Sequence, residues 1–275
     1  MNREEIQKKI YELKTDEEII EFVNKRLSEL ENASVEKTVG QGYTNIFNDY
    51  ISEKMHYKAA ANIEDGECPD LVYDDITPYI NLIKEIKKGP WYNELSLFST
   101  IFFTIHDYLP SEDIGLVRAM TYMSHKDKRL SIKTIKNNGC AFCSEKAGLA
   151  QNMYKFLGID SALACGYRND ELHAFNMVYP KGYENEPMVI YDPSHFVNFV
   201  QDGKKESYGY FKALNKEDYE KLINGIPIQI DLTKTEYNYR KLYGWNGSLD
   251  NAVFEGDEPT YTIGIDKKME DTPKR

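Results

Sequence analysis

A thiol, an imidazole and a carboxylate follow one another in the second half of the chain, at Cys143, His173 and Asp192. These residue types together can perform nucleophilic acyl chemistry. The sulfur attacks a carbonyl, the imidazole carries the proton, and the carboxylate holds the imidazole in place. A thiolate is the reactive form, and a free thiol titrates near about 8.5. A helix N-terminus lowers that value, because its unbonded N–H groups point at the sulfur. The local pattern sets Cys143 in such a place. Phe142, Ala147, Leu149, Ala150, Met153, Phe156 and Leu157 predict a helix over 142–157 with a broad apolar face. Gly158 stands where a left-handed residue ends a helix.

Beyond Gly158 the period becomes that of strands. Short strands are predicted over 159–167, 173–179, 188–191 and 196–200, with Gly, Asn, Asp and Pro between them. His173 opens the second of these and Asp192 ends the third. Neighbouring strands can set the two side by side, with the ring facing the helix end.

The same residues admit other readings. Cys140 and Cys143 form a Cys-x-x-Cys, which in a redox protein follows a strand. No convincing strand precedes it, and redox chemistry leaves His173 and Asp192 unused. Zinc would need further ligands such as Cys165 or His173, and there is no second Cys pair. Cys140 as nucleophile suits the preceding Gly139 but breaks the spacing to Ala147 and Gly158. It is read instead as a buried neighbour or a site of regulatory oxidation. Cys68 and Cys165 are read as buried thiols, His106 as structural, and His195 as a surface residue or part of the cleft. Asp192 before Pro193 also fits the start of a turn. The backbone N–H of Cys143 is a natural oxyanion donor. Asn137, Asn138, Trp91 and several Tyr residues stay open for the second.

The ordered pieces Cys143-Ser144-Glu145-Lys146-Ala147, Leu157-Gly158-Ile159, Gly166-Tyr167, His173-Ala174-Phe175-Asn176-Met177-Val178 and Tyr191-Asp192-Pro193-Ser194 resemble the transglutaminase-like superfamily, whose fold is related to papain. The resemblance implies Cys143 as nucleophile, His173 as general base and acid, and Asp192 as the group orienting His173. It also implies an α+β fold with a transglutaminase-like, papain-like core: the helix bearing the Cys packed on an antiparallel sheet. Two positions depart from the family pattern. Ala141 stands where Gly is usual two residues before the Cys, and Phe175 where Trp is common after His-Ala. The ligands of calcium-activated members do not map onto this chain, so no metal and no cofactor is assigned.

The rest of the chain must position these groups. Apolar residues from Ile6 to Leu30 recur at helical spacing, with a helix start at Asp16-Glu17-Glu18. Residues 64–70 read as an acidic loop. A helix is predicted over 75–88, with Pro78 in its first turn and Gly89-Pro90 as its stop. Others are predicted over 93–109, 113–123 and 216–223, and a strand over 226–232. Helices thus precede strands, the α+β pattern. The expected organisation is a helical N-terminal subdomain over 1–115, a catalytic core over 116–265 and a frayed tail over 266–275.

Composition bounds the function. The 275 residues are 41% hydrophobic and 29% charged, which suits a folded chain. Tyr is frequent, with 21 copies, and serves a core or an aromatic-lined cleft. A net charge of −11 argues against nucleic acid as partner. The basic stretch Lys126, Lys128, Arg129, Lys133 and Lys136 reads as a solvated face. No apolar run approaches a membrane span, and none follows Met1, so no membrane contact and a cytoplasmic location are expected. The expected partner is a peptide or protein substrate, with the oligomeric state left open. The expected activity is acyl transfer from an amide through a thioester, leaning to hydrolysis. Protein-glutamine transglutamination and a catalytically silent binding or scaffold protein are the alternatives.

Overall fold

The computed structural model describes residues 1–38, 71–72, 75–88, 94–109, 130–131, 133, 136, 141, 143–159, 161–169, 171–178, 188–201, 204–231, 253–256 and 260–265. Six helices are seen among these: α1 Arg3–Glu12, α2 Asp16–Thr38, α3 Thr77–Lys88, α4 Glu94–Tyr108, α5 Cys143–Phe156 and α6 Lys216–Ile223. The strands are β1 Leu71–Val72, β2 Leu130–Ser131, β3 Ser161–Arg168, β4 Glu171–Val178, β5 Met188–Gln201, β6 Lys204–Leu214, β7 Ile228–Asp231, β8 Val253–Gly256 and β9 Thr260–Ile265.

The larger sheet runs β6-β5-β4-β3-β9-β7, with β8 on β5, and every pairing in it is antiparallel. β1 and β2 form a separate parallel pair. The molecule is therefore α+β, with a helix lying on an antiparallel sheet. α5 packs against β3, β4 and β5, and α2 and α4 close over it.

Local chemistry explains most element ends. Asn2 caps α1 through a reciprocal pair: its Oδ1 accepts from Glu5 N–H at 2.9 Å, and Glu5 Oε2 accepts from Asn2 N–H at 2.9 Å. The N-terminal helical stretch is two helices, α1 ending at Glu12 and α2 beginning at the start predicted at Asp16. The end of α5 is a Schellman turn, with Gly158 N–H donating to Lys155 O at 3.0 Å and Ile159 N–H to Tyr154 O at 2.9 Å. Gly158 has φ +72°, and a Cβ there would stand 3.1 Å from the Arg3 Cα and 3.0 Å from Ile6 Cδ1. The glycine thus satisfies the turn and also lets α1 lie against the end of α5.

Arg26, reaching from α2, is the other cap on that end. Its Nε donates to Phe156 O at 3.1 Å and its Nη2 to Lys155 O at 3.2 Å, while Nη1 pairs with Glu29 at 3.1 Å. The guanidinium is buried against the negative end of the helix dipole. One apolar cluster joins α1 to α5 with the sheet, from Ile6 and Val23 through Ile101 and Phe156 to Ile190 and Ile263. The expected boundary near 115 falls outside the described residues, as do the helix over 113–123, the acidic loop and the tail.

The largest departure from the sequence reading is β5. Two short strands were expected, 188–191 and 196–200; one strand spans both. Its pairing with β6 slips between Asp192 and Phe196, at a bulge. A proline has no N–H for a ladder, and a bulge is where a continuing strand can accommodate one. β6 and β9 were not anticipated. β9 enters between β3 and β7, and only a glycine at 166 permits its approach: a Cβ there would come within 2.0 Å of Gly264 O.

Candidate functional site

Cys143 is the first residue of α5 and is partly exposed. Its neighbours Ala147 and Ala174 pack against it, so the wall beside the sulfur is made of methyl groups. Small side chains at this contact let α5 lie close to β4. The helix start supplies N–H groups that no i−4 carbonyl can reach.

His173 lies on β4 and Asp192 on β5. Asn176 pairs with Tyr191, so the next antiparallel step sets Phe175 against Asp192. His173 is then the diagonal neighbour of Asp192 on the same side of the sheet, within reach of a ring. The Phe175 ring lies nearly parallel to the imidazole, at 20° and 6.4 Å between centroids. His173 Nε2 and Asp192 Oδ2 are 2.7 Å apart. The second carboxylate oxygen accepts from Ser194 N–H at 2.9 Å, an Asx-type turn that fixes the carboxylate. His173 and Asp192 are both buried, Asp192 completely. The bond to Asp192 leaves Nδ1 as the ring nitrogen for Cys143, which is itself a hydrogen-bond partner of His173.

These contacts decide the charge on the ring. Burial works against the imidazolium. The Asp192 charge and hydrogen bond, and then Cys143, outweigh it and push His173 up to about 10. At neutral pH the ring therefore holds its proton. The neighbouring Tyr191 hydroxyl is driven well above its ordinary range, by burial first and then by Asp192. A sulfur, a protonated imidazole and a buried carboxylate in series can deliver a proton to an atom held at the sulfur.

Two residues at this site were not read from sequence as part of it. His106, on α4, bonds the backbone carbonyl of Pro193. Its ring is held at about 4, by burial first and then by Lys146. Phe102 packs on it at 4.2 Å between centroids. α4 thus touches the segment that carries Asp192. No local signal distinguishes such a histidine from a structural one. Asn176 is the other: it is fully buried on β4, and its Nδ2 donates to Ala147 O at 2.9 Å. Polarity in an otherwise apolar run, Phe175 to Val178, was the available hint.

Cys68, Cys140, Trp91, Asn137 and Asn138 lie outside the described residues, as do the side chains of Cys165 and His195. Of the basic stretch, Lys133 and Lys136 are described and exposed, with Lys136 Nζ 4.4 Å over the Tyr108 ring. No group of three or more His, Cys, Asp or Glu among the described residues could hold a metal ion. No helix of the described residues is long and apolar enough to cross a membrane.

Comparison with protein-family models, with curated proteins and with solved structures returned no match for this chain.

Proposed function

We propose that the chain is a cysteine-nucleophile enzyme that transfers acyl groups from amides through a thioester, on a transglutaminase-like, papain-related core. The observation that carries the reading is the 2.7 Å bond between the fully buried Asp192 carboxylate and His173, with the partly exposed Cys143 acting on the same ring.

In the proposed reaction the Cys143 sulfur attacks an amide carbonyl carbon as the thiolate, its proton resting on His173. The carbonyl oxygen takes the negative charge and faces the N–H groups at the start of α5. His173 gives its proton to the departing nitrogen, and the C–N bond breaks to leave a thioester and an amine or ammonia. His173, now neutral, takes a proton from the second nucleophile. That nucleophile adds to the thioester carbon, and the C–S bond breaks to return Cys143. Asp192 keeps the ring oriented and stabilises its charged form throughout. Water as the second nucleophile makes the enzyme a peptidase or amidase, and that is the reading we favour.

Iodoacetamide tests the reading without a known substrate. Cys143 is expected to label faster than an ordinary exposed thiol at neutral pH, and the rate to fall in His173→Ala. Labelling at the ordinary rate, unchanged by His173→Ala, would favour a silent scaffold. The fate of the acyl group is tested with a pool of glutamine-containing peptides and a fluorescent primary amine. Hydrolysis releases acid without dye, whereas dye on peptide means amine transfer.

A further inference from the structure

A chain of directed hydrogen bonds crosses the interface between the helix of the thiol and the strand of the imidazole. Gln151 on α5 donates through Nε2 to Ser161 O on β3 at 2.7 Å. A carbonyl only accepts, so this bond fixes the Gln151 amide with Oε1 on the other side. Oε1 accepts from Asn176 Nδ2 at 3.4 Å, and the same Nδ2 donates to Ala147 O at 2.9 Å. Both amide hydrogens of Asn176 are used, so its orientation is fixed as well. The path runs from β3 to α5, on to β4, and back to α5. It ends four residues from Cys143 on one element and three from His173 on the other.

The amide at this place is only partly satisfied. Asn176 is fully buried, and its Oδ1 meets no donor among the described residues. A buried polar atom left without a partner is destabilising relative to an apolar group of the same shape. The packing nearest Cys143 is between small side chains, unlike the large ones farther along α5. Ala147 and Ala174 meet there as methyl against methyl, a contact that defines axial position only weakly. A bond to one particular carbonyl does fix it, and registry is the best-attested use of a buried polar group.

We propose that Asn176, supported by Gln151, is a positioning residue that sets where α5 stops along β4, and so brings the Cys143 sulfur into line with the His173 ring. The proposal rests on the catalytic reading above. A shift of about 1 Å between reacting groups can cost roughly a hundredfold in rate.

Asn176→Leu is the test, with the iodoacetamide rate of Cys143, the thermal midpoint and the His173 titration by NMR as readouts. The variant is expected to stay folded with a somewhat lower midpoint, because Gln151 Oε1 loses its donor, to label about ten- to a hundredfold more slowly, and to show His173 titrating lower as its contact with the sulfur loosens. Asn176→Ser, which is smaller and does not reach Ala147, is the second variant and is expected to slow labelling in the same way. Parent-like labelling and titration in a folded Asn176→Leu would overturn the proposal, as would losses in both variants that only track loss of folded protein. Slow, His173-independent labelling of the parent would instead overturn the catalytic reading itself, so the two failures are distinct.

Discussion

Replacing Asp192 by Asn removes a charge and one of the two oxygens that accept from His173 and from Ser194 N–H. With its oxygen turned to His173 Nε2, the Asn keeps that bond and gives up the one from Ser194 N–H. What disappears is the field that opposes burial. In the parent, burial lowers His173, yet the Asp192 carboxylate and then Cys143 raise it from 6.5 to about 10. That net displacement corresponds to about 5 kcal/mol in favour of the imidazolium. With the largest upward contribution gone, burial should prevail and His173 should titrate below 6.5. At neutral pH the parent ring would then be charged and the variant ring neutral, which two-bond nitrogen–proton NMR distinguishes directly.

Stability carries the same signature. In a Cys143→Ala background, where the ring's proton cannot be one given up by the sulfur, the folded chain holds above 6.5 a proton that the unfolded chain has released. The contribution is fully present below 6.5 and is lost as pH rises toward the folded value, by about 1.4 kcal/mol per pH unit for one proton. Urea unfolding of Cys143→Ala with and without Asp192→Asn across this window, taken as a difference, isolates it from other groups. Cys143→Ala alone should lose stability relative to the double variant as pH rises. If the variant ring still titrates above about 8, or the difference is flat with pH, the electrostatic reasoning fails.

Arg26→Met should cost about 3 kcal/mol by urea unfolding, from two charge-assisted bonds and the helix-end interaction; a loss below about 1 kcal/mol would show the cap to be unimportant. Gly158→Ala should lower the thermal midpoint, since it puts a side chain at φ +72° against Arg3 and Ile6; an unchanged midpoint would mean that α1 is not seated there. His106 is held neutral down to about 4, so the parent should lose stability as pH falls from 6.5 toward that value, because only the unfolded chain takes up the proton. His106→Asn keeps a donor for Pro193 and removes this slope, and calorimetry at three acidic pH values reads the difference.

The thiol helix was legible because its signals are local. The apolar period from Ala147 to Leu157 and the glycine at 158 act within a few turns, and both ends of α5 follow from them. The strand period after Gly158 likewise placed His173 and Asp192 on adjacent strands, since alternation is a property of each strand alone. The α+β class followed from the order of those patterns. Other features depend on partners far away in the chain. β5 continues past Pro193 because β6 pairs on both sides of the bulge. The Arg26 bond to Phe156 joins residues 130 apart, and nothing near Arg26 in sequence marks it as a helix cap. The charge on His173 and the brace at Asn176 belong to the same kind, because each is set by burial together with one group brought in from another element. Periodicity and turn chemistry act over a few residues, so the sequence alone determined α5, the strands that carry His173 and Asp192, and their order. Burial, field and directed hydrogen bonds arise only once the segments pack, and they decided how Cys143, His173 and Asp192 stand to one another.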